Sequence, residues 1–201
     1  MELIKRLFDI FFATIGIILL IPVFLLIAIL IKREDGGSIF FVQERVGFGG
    51  KLFRLYKFRT MVVGAEKIGK QITVDGDNRI TRTGKVLRKY KLDELPQLFN
   101  VIKGYMSLVG PRPEVPYYVN LYNQRQKEVL KIMPGITDPA SISFYNESEI
   151  LGKAKDPEKE YINNIMAQKI NINLNYSKNA NIFKDFLIIL KTLYISFFKK
   201  G

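Results

Sequence analysis

From Ile10 to Ile31 the chain carries no charged residue. At ~1.5 Å per residue such a helix is about 33 Å long, enough for the ~30 Å hydrocarbon core of a bilayer. Lys5 and Arg6 flank one end and Lys32 and Arg33 the other. Basic flanks favour the cytoplasmic side, so a spanning helix would leave one of these pairs on the wrong side. Pro22 lies near the middle of the run, where it removes a helix hydrogen bond and biases Ile21 away from helical geometry. Two readings stay open on this pattern: a re-entrant helix-break-helix with both ends on one face, and a proline-kinked spanning helix.

Beyond the run the pattern changes period. Ser38–Gln43 and Lys51–Phe58 read as strands, with Gly47-Phe48-Gly49-Gly50 as the turn of a hairpin. Those glycines are a poor phosphate cradle, because a strand follows them where a helix should. Residues 62–80 suggest a helical piece and a polar loop around Asp75–Asn78. Thr83 to about Lys103 predicts two helical stretches meeting near Asp93. Gly110-Pro111-Arg112-Pro113 is a rigid turn, Glu114–Ile132 has helical character, 136–160 is loop-rich, and 161–176 suggests another helix. Near the C-terminus Phe183, Phe186, Leu187, Leu190, Leu193, Tyr194 and Phe197 recur at helical spacing beside Lys184, Lys191, Lys199 and Lys200. That helix can lie on anionic lipid or dock on the core, and different faces can do both. The expected fold class is α+β: a small β hairpin beside several helices, some interfacial. The expected organisation is a membrane element over 1–34 and a catalytic domain over 35–201.

Composition narrows the chemistry. Lys and Arg number 31 against 19 acidic residues, a net charge of +12 that points to anionic partners: phosphorylated substrates, a negatively charged membrane face or nucleic acid. No nucleic-acid motif appears, so nucleic acid is not expected as a partner. The chain has no His and no Cys, which excludes thiolate nucleophiles, Cys/His zinc sites and the usual His-based hydrolase arrangements. Carboxylates remain as nucleophiles and bases, and Mg²⁺ as the metal suited to them.

One segment concentrates such groups: Arg88-Lys89-Tyr90-Lys91-Leu92-Asp93-Glu94-Leu95-Pro96-Gln97. Locally, Asp93 can be a helix cap and Glu94 a first-turn acid. Alternatively, a carboxylate here attacks phosphorus, given cations to neutralise the phosphates. Arg79, Arg88 and Arg112 are candidate clamps, as are Lys57 and Arg59 on one strand face. Arg112 is the most specific of them, because prolines on both sides fix its direction.

Five runs in order resemble the bacterial sugar transferase family of small monotopic phosphoglycosyl transferases: Tyr56–Met61, Asp77–Thr81, Leu92–Val101, Met106–Pro113 and Pro134–Thr137. The resemblance covers nearly the whole chain. It implies that Asp93 attacks the β-phosphate of a UDP-sugar and releases UMP. Glu94 would bind Mg²⁺ with Asp93 and deprotonate an incoming polyprenyl phosphate, while Arg88 and Arg112 hold phosphates. It also implies a re-entrant N-terminus broken at Pro22, membrane lipids as partners, and a place on the cytoplasmic face of the inner membrane. Downstream glycosyltransferases would take the product, and homo-oligomers are compatible with it. Two features depart from the family pattern. After Pro134-Gly135-Ile136-Thr137 the chain continues Asp138-Pro139-Ala140-Ser141 rather than through the family's Gly-rich run and its arginine, so no nucleotide contact is carried over within 138–150. The Ser-Pro of the membrane break is Ile21-Pro22 here. Three rival readings are a membrane-tethered basic binding protein for anionic lipid or nucleic acid, a direct transfer in which Asp93 only binds metal, and a structural partner in a glycan assembly complex whose catalytic function has lapsed, against which the intact Asp93 and Glu94 argue.

Overall fold

A computed structural model describes residues 3–65 and 76–199, so most of the helical piece expected within 62–80 lies outside the described residues. The apolar run forms one helix, α1 (Leu3–Asp35), which continues across Pro22. Only one stripe of it is covered. Asp9, Ala13, Ile27 and Ile31 are buried, while Leu7, Phe11, Ile18, Leu19, Leu25 and Leu26 remain exposed. Polar groups fasten both ends to the rest of the chain. Lys5 pairs with Asp185, and Arg6 donates to the carbonyls of Val101 (2.7 Å) and Ile102 (3.0 Å). Asp9 accepts from the Leu108 amide at 3.1 Å. At the far end Glu34 accepts from the Arg82 amide at 2.7 Å, and Asp35 pairs with Arg59.

The hairpin is β1 (Phe40–Val46) against antiparallel β2 (Leu52–Phe58), with Phe40 opposite Phe58 and Val46 opposite Leu52. It starts two residues later than the pattern predicts. Gly49 and Gly50 take positive φ (66° and 77°), which few other residues adopt without strain. Alternation along β2 buries Phe53 and Leu55. Its free edge is satisfied by a side chain. Asn100, fully buried, donates to the Arg54 carbonyl (2.7 Å) and accepts from the Tyr56 amide (3.1 Å). Asn100 thereby acts as a third strand's backbone would.

Two helical stretches meet at Asp93 as the pattern predicts: α2 (Arg82–Lys89), a 3₁₀ turn over Leu92–Glu94, and α3 (Gln97–Ile102). A short parallel pair follows, β3 (Ser107–Val109) with β4 (Gly135–Thr137). At Gly135 a Cβ would sit 2.1 Å from the Gly110 nitrogen, so the crossing of these backbones admits no side chain. The helix expected over 114–132 is instead α4 (Pro116–Asn120), α5 (Gln124–Lys127) and a 3₁₀ turn over Glu128–Lys131. The physical reason is a second start signal: Asn123 and Gln126 form a reciprocal capping box. Then come α6 (Pro139–Ser143), α7 (Glu147–Lys153), α8 (Pro157–Glu160), a π turn over Tyr161–Ile165, α9 (Met166–Ser177) and α10 (Ile182–Phe198).

The fold is mixed: helices around two small sheets, with one long apolar helix at the N-terminus. Helix α1 contributes to two of the three buried apolar clusters, Ala13 with Phe53, Val101 and Met106, and Ile27 and Ile31 with Phe58 and Leu87. Helix α10 docks one face through Ile188 and Ile189, and its Thr192 hydroxyl meets that of Thr137 at 2.6 Å. Its opposite face leaves Phe183, Leu187, Leu190, Tyr194 and Phe198 exposed. The docking reading of this helix therefore holds for one face.

Arg59 was one of the candidate phosphate clamps, and the structure places it elsewhere. Strand β2 ends at Phe58, so the alternation that should put Lys57 and Arg59 on one face stops between them. Arg59 joins both oxygens of Asp35 and the Ser38 carbonyl, fixing the exit of α1. Its guanidinium pulls the Asp35 carboxyl down to about 2. A carboxyl depressed in the folded state stabilises above its ordinary pKa and loses that contribution as pH falls. Arg59→Met is expected to lower Tm by about 2–4 °C at pH 7. The difference between the two proteins should shrink as pH is taken from about 4 towards about 2, measured by thermal unfolding in one detergent.

Candidate active site

The 3₁₀ turn Leu92–Glu94 follows directly on a left-handed residue, Lys91 (φ 58°), the one non-glycine residue with positive φ among those described. That reversal stops α2 and turns two neighbouring carboxylates inward, leaving Asp93 at 7% and Glu94 at 9% exposure. A left-handed non-glycine residue costs about 1–2 kcal/mol, and such strain clusters at functional sites.

The two acids sit in opposite environments. Glu94 is gripped by cations: Lys57 Nζ donates to Oε1 (2.9 Å), Arg112 Nη2 to Oε1 (2.6 Å) and Arg112 Nη1 to Oε2 (3.1 Å). Burial works against its charge, but Arg112 and Lys57 outweigh it and hold the carboxyl well below the usual range. Asp93 receives no such grip, and no hydrogen bond to its carboxylate forms among the described residues. Burial pushes its carboxyl up and Glu94 adds to this, while Lys57, Arg88 and Lys91 pull the other way. A firmly paired anion thus lies beside a buried acid without a direct hydrogen-bond partner among the described residues. The second can relieve its position by reacting with, or binding, an electrophile.

The cations are positioned by distinct elements. Lys57 projects from the end of β2. Arg88 lies in the last turn of α2, where its Nε donates to the Thr60 hydroxyl at 2.8 Å. Arg112 is aimed by its loop, whose backbone is pinned where Asp138 accepts from the Arg112 amide at 3.0 Å. The same carboxylate caps α6 by accepting from the Ser141 amide at 2.6 Å. Arg79 is bonded to Asp77 (2.6 Å) and makes no hydrogen bond to the dyad among the described residues. Of the five candidate clamps, Lys57, Arg88 and Arg112 converge on Asp93 and Glu94, and Arg79 and Arg59 do not. Sequence reasoning passed over Thr60, Lys91, Arg45 and Asp138. Asp138 was legible in principle, as an Asp-Pro helix start.

Gly84 makes this arrangement tight. It lies against Thr60, two residues past the end of β2, whose carbonyl oxygen would lie 2.1 Å from an added Cβ. Gly84→Ala must push α2 away from Thr60 and shift Arg88 with it. The expected loss is about 1–3 kcal/mol of stability, typical of overpacking, seen as a lower Tm.

Asp93 and Glu94 also fit Mg²⁺, which takes one or two carboxylates together with substrate phosphate oxygens and water. Asp93 has its lone pairs open, whereas both Glu94 oxygens accept from Lys57 and Arg112, and no group of three or more potential metal-binding side chains gathers among the described residues, the dyad included.

The bacterial sugar transferase family model matches residues 1–199. The UDP-N-acetylgalactosamine-undecaprenyl-phosphate N-acetylgalactosaminephosphotransferase of Aeromonas hydrophila is 42% identical over 193 residues, 94% of this chain and 43% of that protein. An exopolysaccharide production protein of Rhizobium meliloti (strain 1021) is 34% identical over 204 residues, 94% of this chain and 83% of that protein. The UDP-glucose:undecaprenyl-phosphate glucose-1-phosphate transferase of Escherichia coli (strain K12) is 35% identical over 204 residues, 100% of this chain and 41% of that protein. The chain thus spans less than half the length of two of these three relatives.

Proposed function

Because the chain belongs to the bacterial sugar transferase family, we propose that it transfers a sugar 1-phosphate from a UDP-sugar to a polyprenyl phosphate, an early membrane step in exopolysaccharide or related glycan assembly. The observation that carries this reading is the asymmetric dyad: a buried, ungripped Asp93 beside a Glu94 locked to Lys57 and Arg112.

In this reading an Asp93 oxygen attacks the β-phosphorus of the donor. The Asp–O–P bond forms, the bridging P–O bond breaks, and UMP leaves with that electron pair. The lipid phosphate then attacks the same phosphorus, forming the lipid diphosphate sugar and freeing Asp93. Arg88, Lys57 and Arg112 neutralise the charge that builds on the phosphoryl oxygens. Mg²⁺, held by Asp93 with Glu94, would add Lewis-acid charge neutralisation at the phosphates.

Glu94 takes a different part from the base that the family resemblance implies. A carboxylate stabilised so far below its usual range accepts protons poorly. A phosphate monoester, with its second pKa near ~6, is largely dianionic at neutral pH and does not need a base. Glu94 therefore positions Lys57 and Arg112.

The membrane placement we propose keeps both ends of α1 on the cytoplasmic face, with residues 1–34 as the membrane element and 35–201 as the catalytic domain, although α1 runs through Pro22 without the expected break. Its support is that Lys5, Arg6 and Asp9 at one end of α1, and Glu34 and Asp35 at the other, all bond to the same body. A helix crossing a bilayer would separate its ends by ~30 Å of hydrocarbon. The exposed apolar face of α10 would add an interfacial contact.

The test is UMP release from a panel of UDP-sugars by detergent-solubilised protein with Mg²⁺ and undecaprenyl phosphate. Release that depends on the lipid and leaves a phosphosugar on Asp93 when lipid is omitted supports the reading. Turnover with no trapped adduct would favour direct transfer, and absence of release with every donor would reject the transferase.

A further inference from the structure

A cavity of about 230 Å³ opens off Arg112 and Lys91. Its walls are mostly polar, and apart from Arg112 the dyad chemistry leaves them unused. Lys169, only 9% exposed, donates to Glu147 Oε2 at 2.7 Å and stands 5.7 Å from the centre of the Tyr161 ring. Tyr161 donates its hydroxyl to Glu114, and Arg45 donates to Gln43 Oε1 at 2.7 Å and to the Pro113 carbonyl at 3.1 Å. Ser141, Tyr145 and Ser148 complete the side nearest α6 and α7.

We propose that this cavity receives the sugar ring of the donor, and that Lys169 and Glu147 read its hydroxyls. The proposal rests on the transferase reading above. Three observations carry it. First, Lys169 is paired with Glu147, Arg45 with Glu114 and Arg112 with Glu94, which leaves Lys91 as the one wall cation without an ion pair among the described residues, so the cavity offers many donors and acceptors and little free charge. That suits an uncharged polyhydroxyl ring rather than another phosphate. Second, a volume of about 230 Å³ is room enough for one sugar ring. Third, the cavity wall includes Arg112, which is bonded to the dyad. The sugar is joined directly to the phosphate whose phosphorus Asp93 attacks, whereas the nucleoside lies one phosphate further away. The ring nearest the dyad is therefore the sugar.

The relatives above are named for different sugars, N-acetylgalactosamine and glucose, and for one lipid phosphate. Side chains that tell sugars apart then belong outside the five shared runs. Ser141, Tyr145, Glu147, Ser148 and Lys169 all do. A buried ion pair contributes little to stability once its desolvation is counted, so Lys169–Glu147 gains a rationale from recognition.

The experiment is calorimetric binding of UDP, UDP-N-acetylgalactosamine and UDP-glucose to the full chain in detergent, for the unaltered protein, Lys169→Met, Glu147→Gln and the milder Tyr145→Phe. The unaltered protein should prefer one UDP-sugar. Lys169→Met and Glu147→Gln should cut that preference by about tenfold or more, the worth of a hydrogen bond to a charged group, and leave UDP affinity within about twofold. Tyr145→Phe should shift the preference less. UDP affinity falling in parallel would place the nucleoside in the cavity and overturn the proposal. So would an unchanged preference, or none in the unaltered protein. Failure of the transferase reading shows separately, as absence of lipid-linked product from the unaltered protein while these binding differences persist.

Discussion

Asp93→Asn is expected to lower UMP release by at least ~10⁴-fold, the scale seen when a covalent nucleophile is removed, and at the same time to raise Tm. The first effect follows from the reaction: an amide neither attacks phosphorus nor carries the phosphosugar. The second follows from the environment. Burial raises the Asp93 carboxyl above its ordinary value, and Glu94 adds to the rise. A raised carboxyl means that the folded protein disfavours the ionised form. The stability tied to this group is therefore greatest below the ordinary carboxyl pKa and declines as pH rises through the folded one. At pH 7 Asp93 is a liability to the fold, and a neutral isostere removes it. For a chain of this size each 1 kcal/mol recovered is worth about 2–4 °C. The check is paired: UMP release, and thermal unfolding of both proteins in one detergent at one scan rate. Turnover above about 1% in the Asn protein would reject the nucleophile. A lowered Tm would show that attraction to Lys57 and Arg88 outweighs burial.

That sign explains why the dyad was legible in the sequence while its division of labour was not. Two adjacent acids after a run of cations, in a chain without His or Cys, left few other candidates for chemistry. Which acid would be gripped depends on Arg112, eighteen residues on, and Lys57, thirty-seven residues back, meeting at Glu94. Spacing along the chain carries no such information. The same limit appears at Arg59, where period-2 alternation promised a place beside Lys57 and the end of β2 at Phe58 cancelled it. The hairpin, the break near Asp93 and the amphipathic C-terminal helix were readable because each rests on local pattern. Helical character over 114–132 does not show the division of the segment, which the cap at Asn123 makes. The parallel pair β3–β4 joins residues far apart through strands of three residues each, too short for periodicity to register.

Glu94→Gln should have the opposite effect on stability from its neighbour, and this contrast separates the two roles. Lys57 and Arg112 together donate three hydrogen bonds to Glu94, and they hold its carboxyl well below the ordinary range. A depressed carboxyl contributes stability above its ordinary pKa, lost as pH falls through the folded one, so at pH 7 the contribution is fully present. Glutamine keeps the shape but withdraws the charge, leaving two cations crowded with one acceptor oxygen between them. Breaking a buried pair costs about 3–5 kcal/mol; Arg112 keeps 30% of its side chain in solvent and can relax toward it, which argues for about 2–3 kcal/mol. The Gln protein should therefore unfold about 4–12 °C lower than the unaltered chain. Its turnover should fall by about 10²–10³-fold, the range for losing a preorganised electrostatic element, because the cations that should face the phosphates are no longer held. If Glu94 were instead the base for the lipid phosphate, the loss would fall on the second half-reaction alone: the first burst of UMP would survive and lipid-linked product would not form. Positioning of Lys57 and Arg112 predicts that both half-reactions slow together, which single-turnover kinetics with and without undecaprenyl phosphate will decide.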